Sequence, residues 1–588
     1  MSHLRLANGR EILAQQADIE LEISDNELSA QYIGLHNRPF ERRYPLFSTV
    51  LDVESDARLV GDGFQMLSQA SGTLSHIQEV GRCPDNNLSY RIYPHDAPKR
   101  FYNTLMIEAA GRYLLFGFTS CRRFAGFFEV HRHPQHWILS AFIDGEETRP
   151  QDWVTNQLES VICLEGESMS ELYQAYAEAI SRHHPPRPHL KDPAPMGWCS
   201  WYAYYAEVTE QDIKDNVAVL AQRHPELEWV LLDDGYQAFM GDWLTPSQKF
   251  PSGIQQVIAD IRAQGKKPAI WLAPFIAEAD SAVFRQHPDW FVKNAAGQPL
   301  KAEEITYGGW RCTPWYVLDC SHPDVQEHLT QVVKTLREEW GVELFKLDAN
   351  YWGTLQGQRF QSGVTGVEAY RMGMQAIAEG AGNGWLLGCN APMWPSLGLV
   401  DAMRVSDDVE RNADRFCQIA RETLMRSWQH RQLWQIDPDC LTLTSLPNQS
   451  ADRASYEFHR NLLLASGGLL LSGDPLPKLT PFAKQSLKRL LKRFQYSQKA
   501  AKITSLSMRH AFLPLTDKND LHCLFNFNGK AQEFTLVANH PVQWYDYWTG
   551  EQLSSEPSKL LIVNLEKGLQ SRAIFTVGEF QVGRVYIN

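Results

Sequence analysis

The sequence has no segment long enough to cross a membrane and no pattern typical of an exported protein. No run approaches the roughly 18 apolar residues that a membrane span needs. The first twenty residues lack a basic segment followed by an apolar core. The ten cysteines are scattered without C-x-x-C spacing, which suits a reducing compartment better than a disulfide framework. We therefore expect a cytoplasmic protein with no membrane partner.

The chain is also short of positive charge and of metal-ligand clusters. It has 69 acidic residues against 56 Lys and Arg, and no basic run with interleaved aromatic residues, so a nucleic-acid partner is not expected. The densest histidine cluster is HRHPQH at 131–136. Its spacing favours a solvated loop over a zinc site.

At 588 residues the chain is long enough for two to four domains. It is 44% hydrophobic and 21% charged, which is typical of a globular protein. Its 18 Trp are compatible with stacking on sugar faces, but equally with core packing.

Short alternating segments mark both ends of the chain. ELSAQYIGL, YLLFGFT and WILSAFI, separated by turn residues, predict an N-terminal β-sandwich. Met169, Leu172, Tyr173, Tyr176 and Ile180 recur at helical spacing and predict a trailing helix, which the prolines of HHPPRPHLKDPAP end. HCLFNF, FTLVAN and LLIVNL predict a small C-terminal β-sandwich. The expected domains are 1–187, 188–495 and 496–588.

Between these ends, apolar strands alternate with helical stretches, the pattern of a parallel sheet with crossover helices. The predicted strands are 196–201, 229–234, 268–273, 344–349, 385–389, 402–406, 433–437 and 469–473. Eight repeats over about 300 residues match a (β/α)8 TIM barrel. A doubly wound sheet is disfavoured because no glycine-rich first turn is present.

Active sites of this barrel form where strands end, and two segments place charged residues there. In LFKLDAN, alternation puts Lys346 and Asp348 on one face and the apolar residues on the other. An unpaired charge in the packed core would cost several kcal/mol, so this pair is expected at the barrel mouth. A purely structural ion pair remains an alternative.

A second carboxylate follows another strand. In MRVSDD, alternation puts Arg404 and Asp408 on one face, whereas Asp407 is expected to face away. Glycoside cleavage with retention uses two carboxyl groups about 5 Å apart. Asp348 and Asp408 are therefore candidates for that pair.

WVLLDDGYQ adds adjacent carboxylates, Asp233 and Asp234, at the end of a strongly apolar strand. Carboxylates accept hydrogen bonds from sugar hydroxyls but also bind divalent metals. Sugar is favoured because no His joins the pair at ligand spacing.

Six motifs in order resemble glycoside hydrolase family 36, the melibiase-like microbial α-galactosidases. They are PMGWCSWYAYY, LLDDGYQ with GDW and KFPSGI, IWLAPF, FKLDAN, LGCNAPMWPSLGLVDAMRVSDD and DPDCL, which together span about Pro193 to Leu441. The resemblance implies a central TIM barrel between an N-terminal β-sandwich and a C-terminal antiparallel β-domain. It also implies hydrolysis of terminal α-linked galactose with retention.

The resemblance further implies a role for each matching residue. Asp348 is the expected nucleophile, and Asp408, which closes an Arg-x-x-x-Asp motif, is the expected general acid/base. Asp233 and Asp234 are expected to hold the galactose 4- and 6-hydroxyls. The other expected substrate contacts are Trp271, Lys346, Cys389 and Arg404. Lys346 should keep Asp348 ionised, and Asp408 needs a raised pKa to carry a proton.

The family often carries an aromatic-rich NGxQSW segment in its first domain, but this chain has GDGFQML, with Leu67 in place of the second aromatic residue and Phe64 nearby. Ile436 stands where an Asn usually precedes DPDCL. No metal or organic cofactor is expected, and the partner is a small oligosaccharide. Alternatives are galactosyl transfer, as in raffinose synthases, α-N-acetylgalactosaminide hydrolysis, or a non-catalytic sugar-binding protein. The oligomeric state is open.

Overall fold

The computed structural model describes residues 3–516, 519–578 and 583–586. No helix among these residues is long and apolar enough to cross a membrane. The ten cysteines all lie within the described ranges and are free thiols.

The N-terminal strands form one continuous antiparallel sheet, in the order β1-β2-β5-β12-β11-β9-β10-β13-β4-β3, with β6, β7 and β8 branching from β9. They are β1 His3–Arg5, β2 Glu11–Ala14, β3 Ile19–Ser24, β4 Glu27–Tyr32, β5 Tyr44–Leu51, β6 Arg58–Asp62, β7 Gln69–Thr73, β8 His76–Glu79, β9 Phe101–Ala109, β10 Arg112–Phe118, β11 Gly126–Arg132, β12 Trp137–Ile143 and β13 Gln157–Gly166. The predicted trailing helix is present as α1, Met169–His183. Its N-cap Ser168 accepts a hydrogen bond from the backbone of Glu171.

Eight parallel strands then form a nearly closed barrel among the described residues, in the order β22-β21-β20-β19-β16-β15-β14-β23. They are β14 Met196–Cys199, β15 Trp229–Leu232, β16 Lys267–Leu272, β19 Leu344–Leu347, β20 Trp385–Gly388, β21 Ala402–Arg404, β22 Gln435–Asp437 and β23 Leu470–Ser472. The backbone N–H of Leu469 donates to the Ile436 carbonyl at 3.0 Å, which joins the two ends of the sheet. All eight predicted barrel strands are confirmed.

Helices lie between and after the barrel strands along the chain, and the longer ones each have an apolar face to bury against the barrel. They are α2 Trp201–Tyr204, α3 Glu210–Arg223, α4 Ile254–Ala263, α5 Ala282–Gln286, α6 Pro323–Glu338, α7 Gly366–Ala381, α8 Ala413–Arg426, α9 Arg453–Ser466 and α10 Pro481–Tyr496. A two-stranded antiparallel excursion, β17 Ile276–Glu278 with β18 Trp315–Val317, lies between β16 and β19.

The C-terminal strands form an antiparallel sheet, ordered β24-β25-β26-β29-β27-β28 with β30 beside β27. They are β24 Lys502–Ile503, β25 His510–Pro514, β26 Asp520–Gly529, β27 Gln532–Asp546, β28 Ser558–Leu565, β29 Gly568–Val577 and β30 Gly583–Tyr586. The domain boundaries at 187/188 and 495/496 stay predictions.

One contact between the N-terminal sheet and the barrel bears directly on the site. Met66 N–H donates to the Ala391 carbonyl at 3.0 Å, and Met393 N–H donates to the Phe64 carbonyl at 2.8 Å. Segment 64–66 therefore pairs like a short strand with the loop that follows β20. This pairing brings the N-terminal sheet to the mouth of the barrel.

Candidate active site

A cavity of about 350 Å³ opens where the barrel strands end. Its lining comes from the barrel and from the N-terminal sheet: Leu67, Arg82, Cys83, Ser89, Tyr90, Trp201, Asp233, Asp234, Trp271, Tyr307, Trp310, Lys346, Asp348, Asn390, Asp407 and Asp408. Six of the eight predicted site residues are in this set. The other two, Cys389 and Arg404, do not line the cavity and are at most 1% exposed. A larger groove crosses the N-terminal sheet and contains none of the predicted residues.

The Asp348 carboxylate lies just beyond β19 and accepts three hydrogen bonds. Trp271 Nε1 donates to Oδ2 at 2.9 Å, and Asn390 Nδ2 and the Ala349 N–H donate to Oδ1 at 2.8 and 2.7 Å. Three donors from different parts of the barrel mouth fix the orientation of this carboxylate.

Lys346 forms its ion pair with Asp233 and not with Asp348, and its expected role in keeping Asp348 ionised stays a prediction. Its Nζ lies 2.8 Å from Asp233 Oδ2, and both side chains are almost fully buried. Lys346 shares the cavity face with Asp348, as alternation predicts, but β15 presents Asp233 closer to its ammonium. Burial raises the pKa of Asp233 above its usual range, while Lys346 opposes that rise.

Asp408 is held by Arg404 and remains partly open to solvent. Arg404 Nη2 donates to Asp408 Oδ1 at 2.8 Å and also lies 3.2 Å from Asp439 Oδ2. The Asp408 side chain is 45% exposed. Burial alone would raise its pKa, but Arg404, Lys346 and Tyr202 together outweigh burial and bring the pKa below its usual range. The expectation of a raised pKa is therefore wrong for the ligand-free site.

Asp407 also lines the cavity, so the expectation that it faces away is wrong. Strand β21 ends at Arg404, and side-chain alternation does not extend past the end of a strand. Its carboxylate is nevertheless occupied, because Arg82, Arg415 and Gln418 all donate to or pair with it. Asp407 is 3% exposed and Asp408 is the accessible member of the two.

Asp234 is engaged by an arginine that sequence reasoning missed. Arg311 donates to both Asp234 oxygens, through Nε at 2.7 Å and through Nη2, and Gln237 Nε2 donates to Oδ1 at 2.7 Å. Arg311 lies in the irregular loop before β18. No strand-end position or periodicity marks such a residue, so only the folded loop identifies it.

Of the segment GDGFQML, Leu67 reaches the cavity and Phe64 does not. Leu67 lines the cavity, whereas Phe64 lines a separate one and packs edge-to-face against Tyr102 and Tyr351. Aromatic rings come instead from Tyr90, Trp201, Tyr307 and Trp310. Ile436 is buried within β22 and does not line the cavity.

Within the described ranges, no group of three or more His, Cys, Asp and Glu side chains is arranged to hold a metal ion. In HRHPQH, the rings of His133 and His136 stack 4.3 Å apart, and His131 lies 3.2 Å from Glu129. The cavity of the candidate site is lined mainly by carboxylates, cationic side chains and aromatic rings.

A model of the melibiase family matches residues 156–379. Over this stretch the chain is melibiase-like, as its motifs imply. The melibiase-like stretch includes Asp233, Trp271 and Asp348, whereas Cys389 and Asp408 lie beyond its end.

Named relatives match over limited lengths. The bifunctional alpha-galactosidase/sucrose kinase AgaSK of Mediterraneibacter gnavus is 24% identical over 201 residues, which are 33% of this chain and 20% of that protein. An alpha-galactosidase of Escherichia coli is 30% identical over 146 residues, 23% of this chain and 19% of that protein. These sequence matches span about a fifth of the relatives.

Solved structures match over most of the chain. TtGalA, an alpha-galactosidase from Thermus thermophilus, has a TM-score of 0.66 at 22% identity, covering 87% of this chain and 97% of that one. The GH36 alpha-galactosidase AgaA of Geobacillus stearothermophilus has a TM-score of 0.65 at 14% identity, covering 97% and 81%. At such identities the likeness shows a shared fold.

Proposed function

We propose that this protein hydrolyses terminal α-linked galactose from small oligosaccharides with retention of configuration. The observation that carries the proposal is the pair of carboxylates Asp348 and Asp408, which different strands present to one cavity in different surroundings. Asp348 accepts three hydrogen bonds, whereas Asp408 is partly exposed beside a buried arginine. Two carboxyl groups with distinct environments support separate roles as nucleophile and acid/base in a double displacement.

In the first step, an Asp348 oxygen attacks the anomeric carbon while the proton of Asp408 passes to the glycosidic oxygen, and the leaving sugar departs as an alcohol. In the second step, Asp408 takes a proton from water, which attacks the same carbon and releases Asp348. Trp271 and Asn390 hold the nucleophile in place through both steps. Arg404, which lies beneath the cavity, orients Asp408 instead of contacting the sugar.

The proton on Asp408 must come from a change in its surroundings. Its side chain is 45% exposed, so a sugar that fills the cavity displaces water from it. Loss of that water disfavours the carboxylate and moves its pKa upward, against the pull of Arg404. We therefore expect the acid form to develop in the substrate complex.

Asp233 and Asp234 would select the sugar by their remaining acceptor capacity. Each carboxylate offers about four acceptor positions. Lys346, Cys199 and the Asp234 N–H use most of those on Asp233, and Arg311 and Gln237 use most of those on Asp234. About one position remains on each, which suits two neighbouring hydroxyls of one sugar.

The relatives support a galactoside substrate of small size. TtGalA has been captured with p-nitrophenyl alpha-D-galactopyranoside and with stachyose, and an AgaA variant with raffinose. A cytoplasmic location and the lack of nucleic-acid and membrane partners stay predictions from the sequence.

The test is a panel of aryl α-glycosides that differ at the 2- and 4-positions of the sugar, followed by variants of the two carboxylates. We expect the galactoside to be cleaved fastest and Asp348→Ala to abolish turnover. Asp408→Ala should spare nitrophenyl galactoside relative to raffinose and yield β-galactosyl azide when azide is added, because the missing base no longer activates water. Asp414→Asn, at an exposed carboxylate of α8 outside the cavity, is the control and should yield no azide product.

If the N-acetylgalactosaminide is cleaved faster than the galactoside, N-acetylgalactosamine and not galactose is the preferred sugar. Galactosyl transfer to a sugar acceptor in preference to water would replace hydrolysis. Near-normal activity in Asp348→Ala would show that Asp348 is not the nucleophile.

A further inference from the structure

We propose that Arg82, which comes from the N-terminal sheet, is a positioning residue for the general acid/base Asp408. Arg82 lies in the loop between β8 and β9, 325 positions before the carboxylate that it contacts. The proposal rests on the role of Asp408 in the proposed function. It assigns the N-terminal sheet a part in the reaction beyond covering the barrel.

Arg82 donates two hydrogen bonds to the Asp407 carboxylate. Its Nε donates to Asp407 Oδ2 at 2.7 Å and its Nη2 to Oδ1 at 3.3 Å, the fork geometry that a lysine cannot reproduce. The Asp407 carboxylate is 3% exposed, whereas Arg82 is 53% exposed and lines the cavity. The guanidinium therefore closes the outer side of a buried carboxylate at the edge of the site.

Asp407 in turn holds the backbone of its neighbour. The Asp408 N–H donates to Asp407 Oδ1 at 2.7 Å, to the same oxygen that receives the second Arg82 bond. On the other side, Arg415 Nη1 donates to the Asp408 carbonyl at 2.6 Å and lies 3.1 Å from Asp407 Oδ2. Both peptide groups of Asp408 are thus held by the cluster of Arg82, Asp407 and Arg415.

Without Arg82 this cluster is electrostatically unbalanced. The Asp407 N–H donates to Glu422 Oε2 at 2.7 Å, so a second buried carboxyl group lies beside it. Asp407 would then keep the neutral donor Gln418 and the Arg415 cation, which also pairs with Glu410 at 2.8 Å. We expect Asp407 to turn toward other donors, and the Asp408 peptide to move with it.

The alternative is that Arg82 only fastens the N-terminal sheet to the barrel. Arg91 offers a matched comparison, because it is another arginine of the same loop that bridges to the barrel. Its Nη2 donates to the carbonyls of Glu303 and Thr306 at 3.2 and 3.0 Å, away from Asp408. A fastening role predicts similar consequences for the loss of either arginine.

The experiment compares Arg82→Met, Arg82→Lys and Arg91→Met on p-nitrophenyl α-galactoside and on methyl α-galactoside. Acid assistance matters for the poor methanol leaving group and little for nitrophenolate. A displaced catalytic group can cost up to about a hundredfold. We expect Arg82→Met to lower kcat on the methyl glycoside by roughly tenfold to a hundredfold, with KM nearly unchanged and nitrophenyl turnover reduced less than about threefold.

Arg82→Lys should recover part of the methyl-glycoside turnover, and Arg91→Met should leave the ratio of the two substrates unchanged. Melting temperatures of all variants separate folding losses from catalytic ones. Equal losses on both substrates in Arg82→Met and Arg82→Lys, or a change in melting temperature alone, would overturn the proposal. Asp408→Ala, measured in parallel, separates a failure of this proposal from a failure of the proposed function. If Asp408→Ala also lowers turnover of the methyl and nitrophenyl glycosides equally, the acid/base role of Asp408 in the proposed function is wrong.

Discussion

The buried pair of Lys346 and Asp233 allows a stability effect to be separated from a catalytic one. Lys346→Met removes the ammonium but keeps much of the side-chain length, which leaves Asp233 without its cation. The two charged atoms are 2.8 Å apart, and the side chains are 6% and 3% exposed. We expect the single variant to lose both activity and stability.

The size of the stability loss follows from the charge left behind. Breaking a buried ion pair by removing one partner costs about 3 to 5 kcal/mol. Asp233 can escape this cost by taking up a proton, so the cost cannot exceed the free energy of protonation. For a carboxyl group of usual pKa 3.8, protonation at pH 7 costs about 4 kcal/mol. At pH 5 the same limit is about 2 kcal/mol. The expected loss is therefore about 3 to 4 kcal/mol at pH 7 and about half of that at pH 5.

The sign of the pH dependence is fixed by the direction of the pKa. Without Lys346 the folded-state pKa of Asp233 rises further above its unfolded value, so the folded state binds the proton more tightly. Stability of the variant should fall as pH increases from about 4 toward the raised pKa. Thermal unfolding followed at pH 5 and pH 7 measures this, with an expected decrease of roughly 2 to 6 °C at pH 7.

The double variant Lys346→Met with Asp233→Asn is the decisive control. Removing both charges should restore most of the melting temperature while activity stays lost, because the sugar-binding carboxylate is gone. If the single variant melts like the unchanged protein at both pH values, the buried ion pair contributes no such energy and the reasoning is refuted.

Three further predictions concern other parts of the protein. Asp234→Asn should narrow the preference for aryl α-galactoside over α-glucoside by about tenfold to a hundredfold, because a charge-assisted hydrogen bond to the sugar is lost; an unchanged ratio of kcat/KM values would contradict it. Trp271→Phe removes the indole N–H that donates to Asp348 and should lower kcat by about tenfold with little change in melting temperature, so unaltered kcat argues against this positioning role. Burial and Asp144 raise the pKa of Glu146 to about 8, so the stability of the protein should decline as pH rises from about 4.5 to 8. Glu146→Gln should abolish that decline in melting temperature. Glu147→Gln, at the exposed neighbouring position, is the control and should leave the decline unchanged.

Much of the fold was determined by local patterns in the sequence. The barrel strands were predictable because a strand enclosed by helices must be apolar over several residues, as in β15 and β20. The helix α1 was predictable from apolar residues at helical spacing. Alternation also placed Lys346 and Asp348 on the cavity side correctly, since β19 is regular up to Leu347.

Alternation failed where regular structure ends. Asp407 follows β21 by three residues, so the period of two no longer applied to it and it lines the cavity beside Asp408. The pKa of Asp408 was also beyond sequence reasoning. Its direction depends on the balance between burial and the combined effect of Arg404, Lys346 and Tyr202, which the folded arrangement decides.

Which charges pair was decided by the tertiary structure alone. Lys346 pairs with Asp233 from β15, Arg311 reaches Asp234 from an irregular loop, and Arg82 reaches Asp407 from the N-terminal sheet. Hydrophobic periodicity is a property of neighbouring residues, so one sequence can reveal it. An ion pair depends on the distance between side chains that lie tens to hundreds of positions apart, and that distance exists only once the strands, loops and sheets have packed together.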